Sequence, residues 1–269
     1  MIQASERSLT ALTIGGSDSA GGAGIQADLK TFQHFAVHGA SVITCVTAQN
    51  SLGVSHVEPL SGESVAQQIE AVRSDLVIPA LKTGMLYSSG LVEAVADSLH
   101  AFTGTIVVDP VMVSRAGSRL LSPDAVETYQ RCLFPLATLL TPNLHEAALL
   151  TGRDIQTKTE VEQAAMVLIE RGPKAVLIKG GGRPELAGQD FFCTTEGPGV
   201  WRSQPALDTP HTHGTGCTLS AAITAACVRG ADLGDAVDQA KAYLNQALRR
   251  AVRFGRGPGC VGHGLVPLA

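Results

Sequence analysis

Short apolar runs alternate with amphipathic stretches along the first two thirds of the chain. The runs Ala11–Gly15, Ser41–Thr47, Ala80–Thr83, Thr105–Asp109, Thr138–Thr141 and Ala175–Lys179 are rich in Val, Ile and Leu. None alternates cleanly between apolar and polar residues, as befits strands covered on both faces. Between them apolar residues recur at helical spacing. Ile25, Leu29, Phe32 and Ala36 form one such face, Val65, Ile69 and Val72 a second, and Leu91, Val95 and Leu99 a third. Val161, Ala164, Ala165, Leu168 and Ile169 form a fourth. Strand–helix alternation of this kind predicts an α/β fold, a mainly parallel sheet with helices on both faces.

The pattern changes at Gln189–Trp201, where two apolar clusters flank Glu196-Gly197-Pro198-Gly199. That spacing predicts a β-hairpin and hence an antiparallel edge. Helices are expected over Gly216–Val228 and Leu233–Val252, and an irregular tail over Gly255–Ala269. Neither a linker nor an internal repeat interrupts residues 1–269, so one domain is expected.

Composition narrows the classes. Apolar residues make up 45% of the 269 residues and aromatics only 4%, so Ala, Val and Leu must fill the core. The net charge of −4 comes without a basic block, which argues against a nucleic-acid binder. No apolar run approaches the length of a membrane span, and polar Ser5, Glu6 and Arg7 precede the first apolar run. Six cysteines, at positions 45, 132, 193, 217, 227 and 260, show neither C-x-x-C nor zinc-site spacing. The expectation is a soluble cytoplasmic protein with reduced thiols.

Open parallel sheets bind ligands beyond the carboxyl ends of their strands. Asp18, Gln49, Asn50, Asp109, Asn143, Glu146 and Lys179 all fall at such ends. The loop Gly15–Gly24 joins a strand to a helix, but its glycine spacing fits neither a dinucleotide fingerprint nor a Walker A loop. It reads either as a tight turn or as a loop that brings backbone close to a small substrate. Asn143-Leu144-His145-Glu146 reads as a helix cap with an acid in the first turn. Alternatively, Glu146 joins Asp109 as the pair of carboxylates that Mg²⁺ on a phosphate needs. Lys179 precedes three glycines and is placed to reach a phosphate, or to sit exposed before a turn.

The stretch Asp208–Thr218 carries most information. Gly214, Thr215, Gly216 and Cys217 open an apolar helix, whose free N–H groups and dipole suit an anion. The same position is expected to lower a thiol pKa, making Cys217 a candidate proton acceptor. The plainer reading is a glycine-rich turn with Cys217 as a small apolar filler. His211 and His213 lack further zinc ligands in sequence and read as loop residues that shape this turn.

Together, five spaced motifs resemble a known family. They are Ala11–Lys30, Lys82-Thr83-Gly84-Met85-Leu86, Asp109-Pro110-Val111-Met112, Thr141–Ala147 and His211–Ala222. Over residues 9 to 255 the chain is similar to the hydroxymethylpyrimidine/phosphomethylpyrimidine kinases of thiamine biosynthesis. The resemblance implies a ribokinase-like three-layer α/β/α sandwich. It implies two ATP-dependent steps, from 4-amino-5-hydroxymethyl-2-methylpyrimidine to its monophosphate and then to the diphosphate. It implies a substrate pocket of Gln49 and Met85 with Ala23, Val111, Gly16 and Asp18, and a Mg²⁺ site at Asp109 and Glu146. Asn143, Lys179 and Thr215 fall on the nucleotide-phosphate side. Gly214–Cys217 becomes the anion hole, with Cys217 as base, and a homodimer is expected. Many sugar-directed relatives carry Asp where Cys217 stands, which points away from sugars. Pyridoxine and pyridoxal kinases share most of these motifs, but Thr47-Ala48-Gln49-Asn50 matches the pyrimidine kinases better. A non-catalytic pyrimidine sensor would be expected to lose Asp109, Glu146, Lys179 or the Gly-Thr-Gly turn, and all are present.

Overall fold

A computed structural model describes residues 9–112 and 123–265. The first strand, β1 (Thr10–Asp18), is followed by α1 (Gly24–His34), β2 (His38–Asn50) and β3 (Gly53–Pro59). Next come α2 (Gly62–Arg73), β4 (Ala80–Thr83), α3 (Ser89–Leu99), β5 (Thr105–Val108) and α4 (Pro123–Thr128). Then follow β6 (Leu139–Leu140), α5 (Leu144–Thr151), α6 (Lys158–Ile169) and β7 (Ala175–Lys179). The hairpin β8 (Gln189–Thr194) and β9 (Gly197–Ser203) leads to α7 (Thr215–Val228) and α8 (Leu233–Arg249).

Nine strands form one sheet in the order β3-β2-β1-β4-β5-β6-β7-β8-β9. The six central strands, β2 to β7 in that order, are parallel. Both edges are antiparallel: β3 folds back on β2, and β8 and β9 extend β7. Only the second edge was expected from the sequence. β3 has no apolar run, and none of its residues is buried. It exists because β2 offers it a ladder, not because it buries a face.

Apolar side chains cover both faces of the sheet. Leu12, Ile14, Leu81, Val108 and Ile178 pack with α2, α3, α5 and α6 on one face. Val107, Leu139, Ala175 and Leu177 pack with α7 and α8 on the other, where Ala11 and Ala80 meet α1 and α7. Each fully buried Leu or Phe contributes roughly 1.5–3 kcal/mol. The result is the expected three-layer α/β/α sandwich.

α7 is unusual in being buried almost all round, from Thr218 to Ala226. Its Ala and Ser residues let it lie close against the sheet, α1 and α8, and so hold its N-terminus in a fixed place. Strand order reverses at β1, which has β2 on one side and β4 on the other. Such a reversal opens a crevice at the carboxyl ends of the strands.

Candidate active site

A single crevice of about 1050 Å³ runs along those carboxyl ends. At one end it is lined by Gly16, Ala23, Gln49, Met85 and Val111. Here the loop after β1 is tightly built. Asp18, 3% exposed, accepts the N–H groups of Ala20 (2.8 Å), Gly22 (3.1 Å) and Ala23 (2.8 Å). Its Oδ2 also lies 3.1 Å from His213 Nε2. Burial pushes the Asp18 carboxyl up, but the His213 contact and these N–H groups outweigh it and hold the pKa below its ordinary value. Asp18 therefore acts here on the loop and on His213. Thr44 Oγ1 donates to the Met85 carbonyl (2.7 Å), which fixes the segment after β4.

In the middle of the crevice stands the turn into α7. Gly214 caps the helix with φ +86°, and a Cβ there would lie 2.0 Å from the Gly22 carbonyl oxygen. Only glycine fits a left-handed residue pressed so close to another backbone. The Thr215 N–H is given to the Thr212 carbonyl at 3.3 Å, so it does not simply face the crevice as the sequence implied. The next two N–H groups, of Gly216 and Cys217, have no intrahelical partner by their position and suit an anion. We expect Gly214→Ala to lower turnover by about 10²-fold or more while far-UV circular dichroism stays unchanged. A loss below tenfold would show that this turn does not hold the transferred charge.

Cys217 differs from expectation. Burial pushes its thiol up to about 11, although the nearby Lys82 ammonium and the Gly24 N–H pull the other way. Desolvation of the thiolate outweighs the helix start, so Cys217 is a thiol at neutral pH.

Beyond the turn lie the charges. Lys179 Nζ contacts Asp109 Oδ1 at 2.8 Å, with the lysine side chain 14% and the aspartate 2% exposed. Thr141 Oγ1 and Ser220 Oγ also approach this carboxylate, at 3.2 and 3.3 Å. A Cβ on Gly216 would lie 3.4 Å from Lys179 Nζ and 3.7 Å from Asp109 Oδ2, so this pair abuts the anion turn. Burial raises the Asp109 carboxyl, yet Lys179 and Lys82 overcome it and keep the group ionised. Burial lowers Lys179, and Asp109 and Glu146 overcome that in turn. The turn after Lys179 is braced by Asp190, which accepts the Gly180 N–H (3.0 Å) and pairs with Lys241.

The first of the sequence readings of Asn143 and Glu146, a helix cap, is what forms. Asn143 Oδ1 accepts the Glu146 N–H (2.9 Å), and Glu146 Oε2 accepts the Asn143 N–H (2.8 Å), a reciprocal helix cap. Burial pushes the Glu146 carboxyl up to about 7, with Lys179 opposing and Asp109 adding to the rise. A buried acid this close to neutrality, beside a second acid, is what a cation would relieve. Among the described residues no group of three His, Cys, Asp or Glu side chains gathers as a metal site. Two carboxylates suit Mg²⁺, which usually arrives on phosphate and keeps water ligands.

The crevice also exposes a feature that sequence reasoning passed over. Lys82 Nζ and Asp28 Oδ1 are 2.7 Å apart, and their side chains are 1% and 3% exposed. Thr13 Oγ1 donates to the other Asp28 oxygen at 2.7 Å. Burial lowers Lys82, but the Asp28 carboxylate, with Asp109 beyond it, holds it charged. A lysine inside the four-residue buried run Ala80–Thr83 was the available signal.

The chain and its fold resemble those of known proteins. A family model described as phosphomethylpyrimidine kinase matches residues 18–262. The chain belongs to the phosphomethylpyrimidine kinase family. It is 47% identical over 254 residues to a hydroxymethylpyrimidine/phosphomethylpyrimidine kinase of Synechococcus elongatus, covering 94% of this chain and 96% of that one. Among solved structures it is similar to a Bacillus subtilis pyridoxal kinase in complex with ADP, with a TM-score of 0.88 at 35% identity. That match covers 95% of this chain and 97% of the other. A phosphomethylpyrimidine kinase from Clostridium difficile superposes with a TM-score of 0.78 at 39% identity, over 88% of this chain and 98% of that one.

Proposed function

We propose that this family member is a kinase of thiamine biosynthesis. It transfers phosphate from ATP to 4-amino-5-hydroxymethyl-2-methylpyrimidine and then to the resulting monophosphate. The observation that carries the reading is continuity: Gln49, the Gly214–Cys217 turn and Lys179 line one crevice. An alcohol beside Met85 and Val111 and a triphosphate beside Lys179 would meet at the turn.

Phosphoryl transfer asks for positioning and charge neutralisation more than covalent help. Gln49 has both a donor and an acceptor for an aminopyrimidine edge. Ala23, Val111 and Met85 supply apolar walls, and Gly16 lets Met85 close in, since a Cβ there would lie 2.8 Å from Met85 Cε. The Gly216 and Cys217 N–H groups receive the charge that moves onto the transferred group. Lys179 binds the nucleotide phosphates, with Asn143 and Thr215 beside it. Asp109 and Glu146 would hold Mg²⁺, which neutralises phosphate charge when bound. The proposal takes the whole chain as one domain. It also carries cytoplasmic residence and a homodimer, whose contact could cover exposed Val46, Leu52 and Phe254. No helix of the described residues is long and apolar enough to cross a membrane.

Cys217 is the group placed to take the alcohol proton. A thiol cannot accept a proton, so its own proton, held near 11 by burial, must first pass to solvent; the Lys82 ammonium and the Gly24 N–H favour the thiolate that then takes the alcohol proton. A phosphate acceptor is already ionised and has little need of a base. Cys217→Ala should therefore slow the first phosphorylation by about 10²-fold and the second by under about tenfold. Equal losses, measured with each acceptor separately, would remove Cys217 from proton transfer.

The similarity to pyridoxal kinases keeps a second acceptor in view. Initial rates with MgATP and the pyrimidine alcohol, its monophosphate, pyridoxal or ribose test the reading. The pyrimidine should give the highest kcat/KM; a higher value for pyridoxal would move the protein to vitamin B6 salvage.

A further inference from the structure

His213 Nε2 lies 3.1 Å from Asp18 Oδ2 and 3.3 Å from Gln49 Nε2. One ring nitrogen carries either a proton or a lone pair, and so cannot serve both neighbours as drawn. Asp18 decides between them. Three backbone N–H groups converge on its carboxylate, so it is an anion that only accepts. Nε2 therefore carries the proton and donates to Asp18. This holds for the neutral Nε2–H ring and for the doubly protonated ring alike.

A protonated Nε2 has nothing to accept a Gln49 N–H. It can, however, share its proton with an oxygen. The other end of the same amide lies 3.3 Å from Thr47 Oγ1. The Thr47 hydroxyl proton is directed at the Ser17 carbonyl, 2.9 Å away, which leaves Thr47 Oγ1 free to accept. Both neighbours thus ask for the same half-turn of the Gln49 side chain, with carbonyl toward His213 and NH₂ toward Thr47. Amide oxygen and nitrogen are close in size, so the turn disturbs no packing. The imidazole hangs from a pinned main chain. His213 N–H donates to the Gly259 carbonyl (3.3 Å), and its carbonyl accepts the Val261 N–H (3.1 Å). A Cβ on Gly22 would lie 2.7 Å from the ring Cδ2, so the ring lies close against that loop.

We propose that His213, oriented by Asp18, is a positioning residue that locks the Gln49 amide in this one orientation and thereby sets ring specificity. An aminopyrimidine edge presents a ring-nitrogen acceptor beside an amine donor, so it pairs in two places with an amide of fixed direction. A pyridine nitrogen between carbons makes one hydrogen bond and gains less from that direction. This step rests on the proposed pyrimidine specificity.

Two measurements test it on the full chain. Two-bond ¹H–¹⁵N spectra of histidine-labelled protein, assigned by the signal lost in His213→Gln, should show His213 with Nε2 protonated at pH 8. An Nδ1–H ring at His213 would overturn the proposal whatever the kinetics show. In kinetics, His213→Leu should lower the ratio of kcat/KM for the pyrimidine alcohol to kcat/KM for pyridoxal by about tenfold. The loss should fall mainly on the pyrimidine KM, and His213→Gln, which keeps a donor, should recover most of it. An unchanged ratio in folded His213→Leu overturns the proposal. If wild-type protein phosphorylates pyridoxal but not the pyrimidine, the substrate reading fails instead, and the Nε2 assignment is judged by the spectra alone.

Discussion

Replacing Lys179 by Met is expected to lower turnover about 10³-fold, with a smaller change in the KM for the pyrimidine. Lys179 ends β7, where its main chain is tied by the Lys179 N–H to the Pro142 carbonyl at 2.9 Å. Its ammonium therefore reaches the crevice from a rigid base. It faces two buried carboxylates, Asp109 and Glu146, of which Asp109 lies beside the anion turn. Loss of the ammonium leaves those acids uncompensated, and Glu146, already near 7, moves further toward its neutral form. The nucleotide then loses a fixed cation, and the carboxylates become poorer partners for a metal. Both effects act on the transferring phosphate, which is why turnover and not pyrimidine binding carries the loss. Saturating steady-state rates with each acceptor check this; a loss below about tenfold would place the triphosphate elsewhere.

The second large effect concerns folding. Lys82→Met should destabilise the protein by about 3–5 kcal/mol, because it strands a carboxylate away from water. The Asp28 side chain is 3% exposed, and after the change, among the described residues, only Thr13 Oγ1 remains to bond it. The double variant Lys82→Met/Asp28→Leu should regain most of that stability, since replacing both members of a buried pair is often near neutral. Urea unfolding of wild type, the single variant and the double variant measures the difference. A single variant as stable as wild type would mean that water reaches Asp28.

Much of this was legible in the chain and some was not, for identifiable reasons. β4 and β7 were placed to the residue; β7 is apolar up to Lys179 because it is buried, whereas β4 is buried although it carries Lys82. α7 was legible for the same reason as β7. β3 was invisible, since an edge strand with no buried residue has no pattern of its own. The helix-start argument for Cys217 treated the dipole alone, whereas desolvation of the thiolate dominates. Asn143 and Glu146 were read as either cap or metal site; the cap is present, and the metal site is a proposal. His213 was read as shaping the phosphate turn. Its partner Asp18 lies 195 residues away, and no local pattern reveals that contact. Residues 1–8, 113–122 and 266–269, the last of them the end of the expected tail, lie outside the described residues.

The most direct measurement is a ³¹P NMR time course that starts from the pyrimidine alcohol with excess MgATP. A monophosphate ester signal should rise first and then give way to a diphosphate, while ADP accumulates to two equivalents. A spectrum that stays at ATP alone, or stops at ADP and inorganic phosphate with the alcohol untouched, would contradict a crevice built to pass phosphate from nucleotide to pyrimidine.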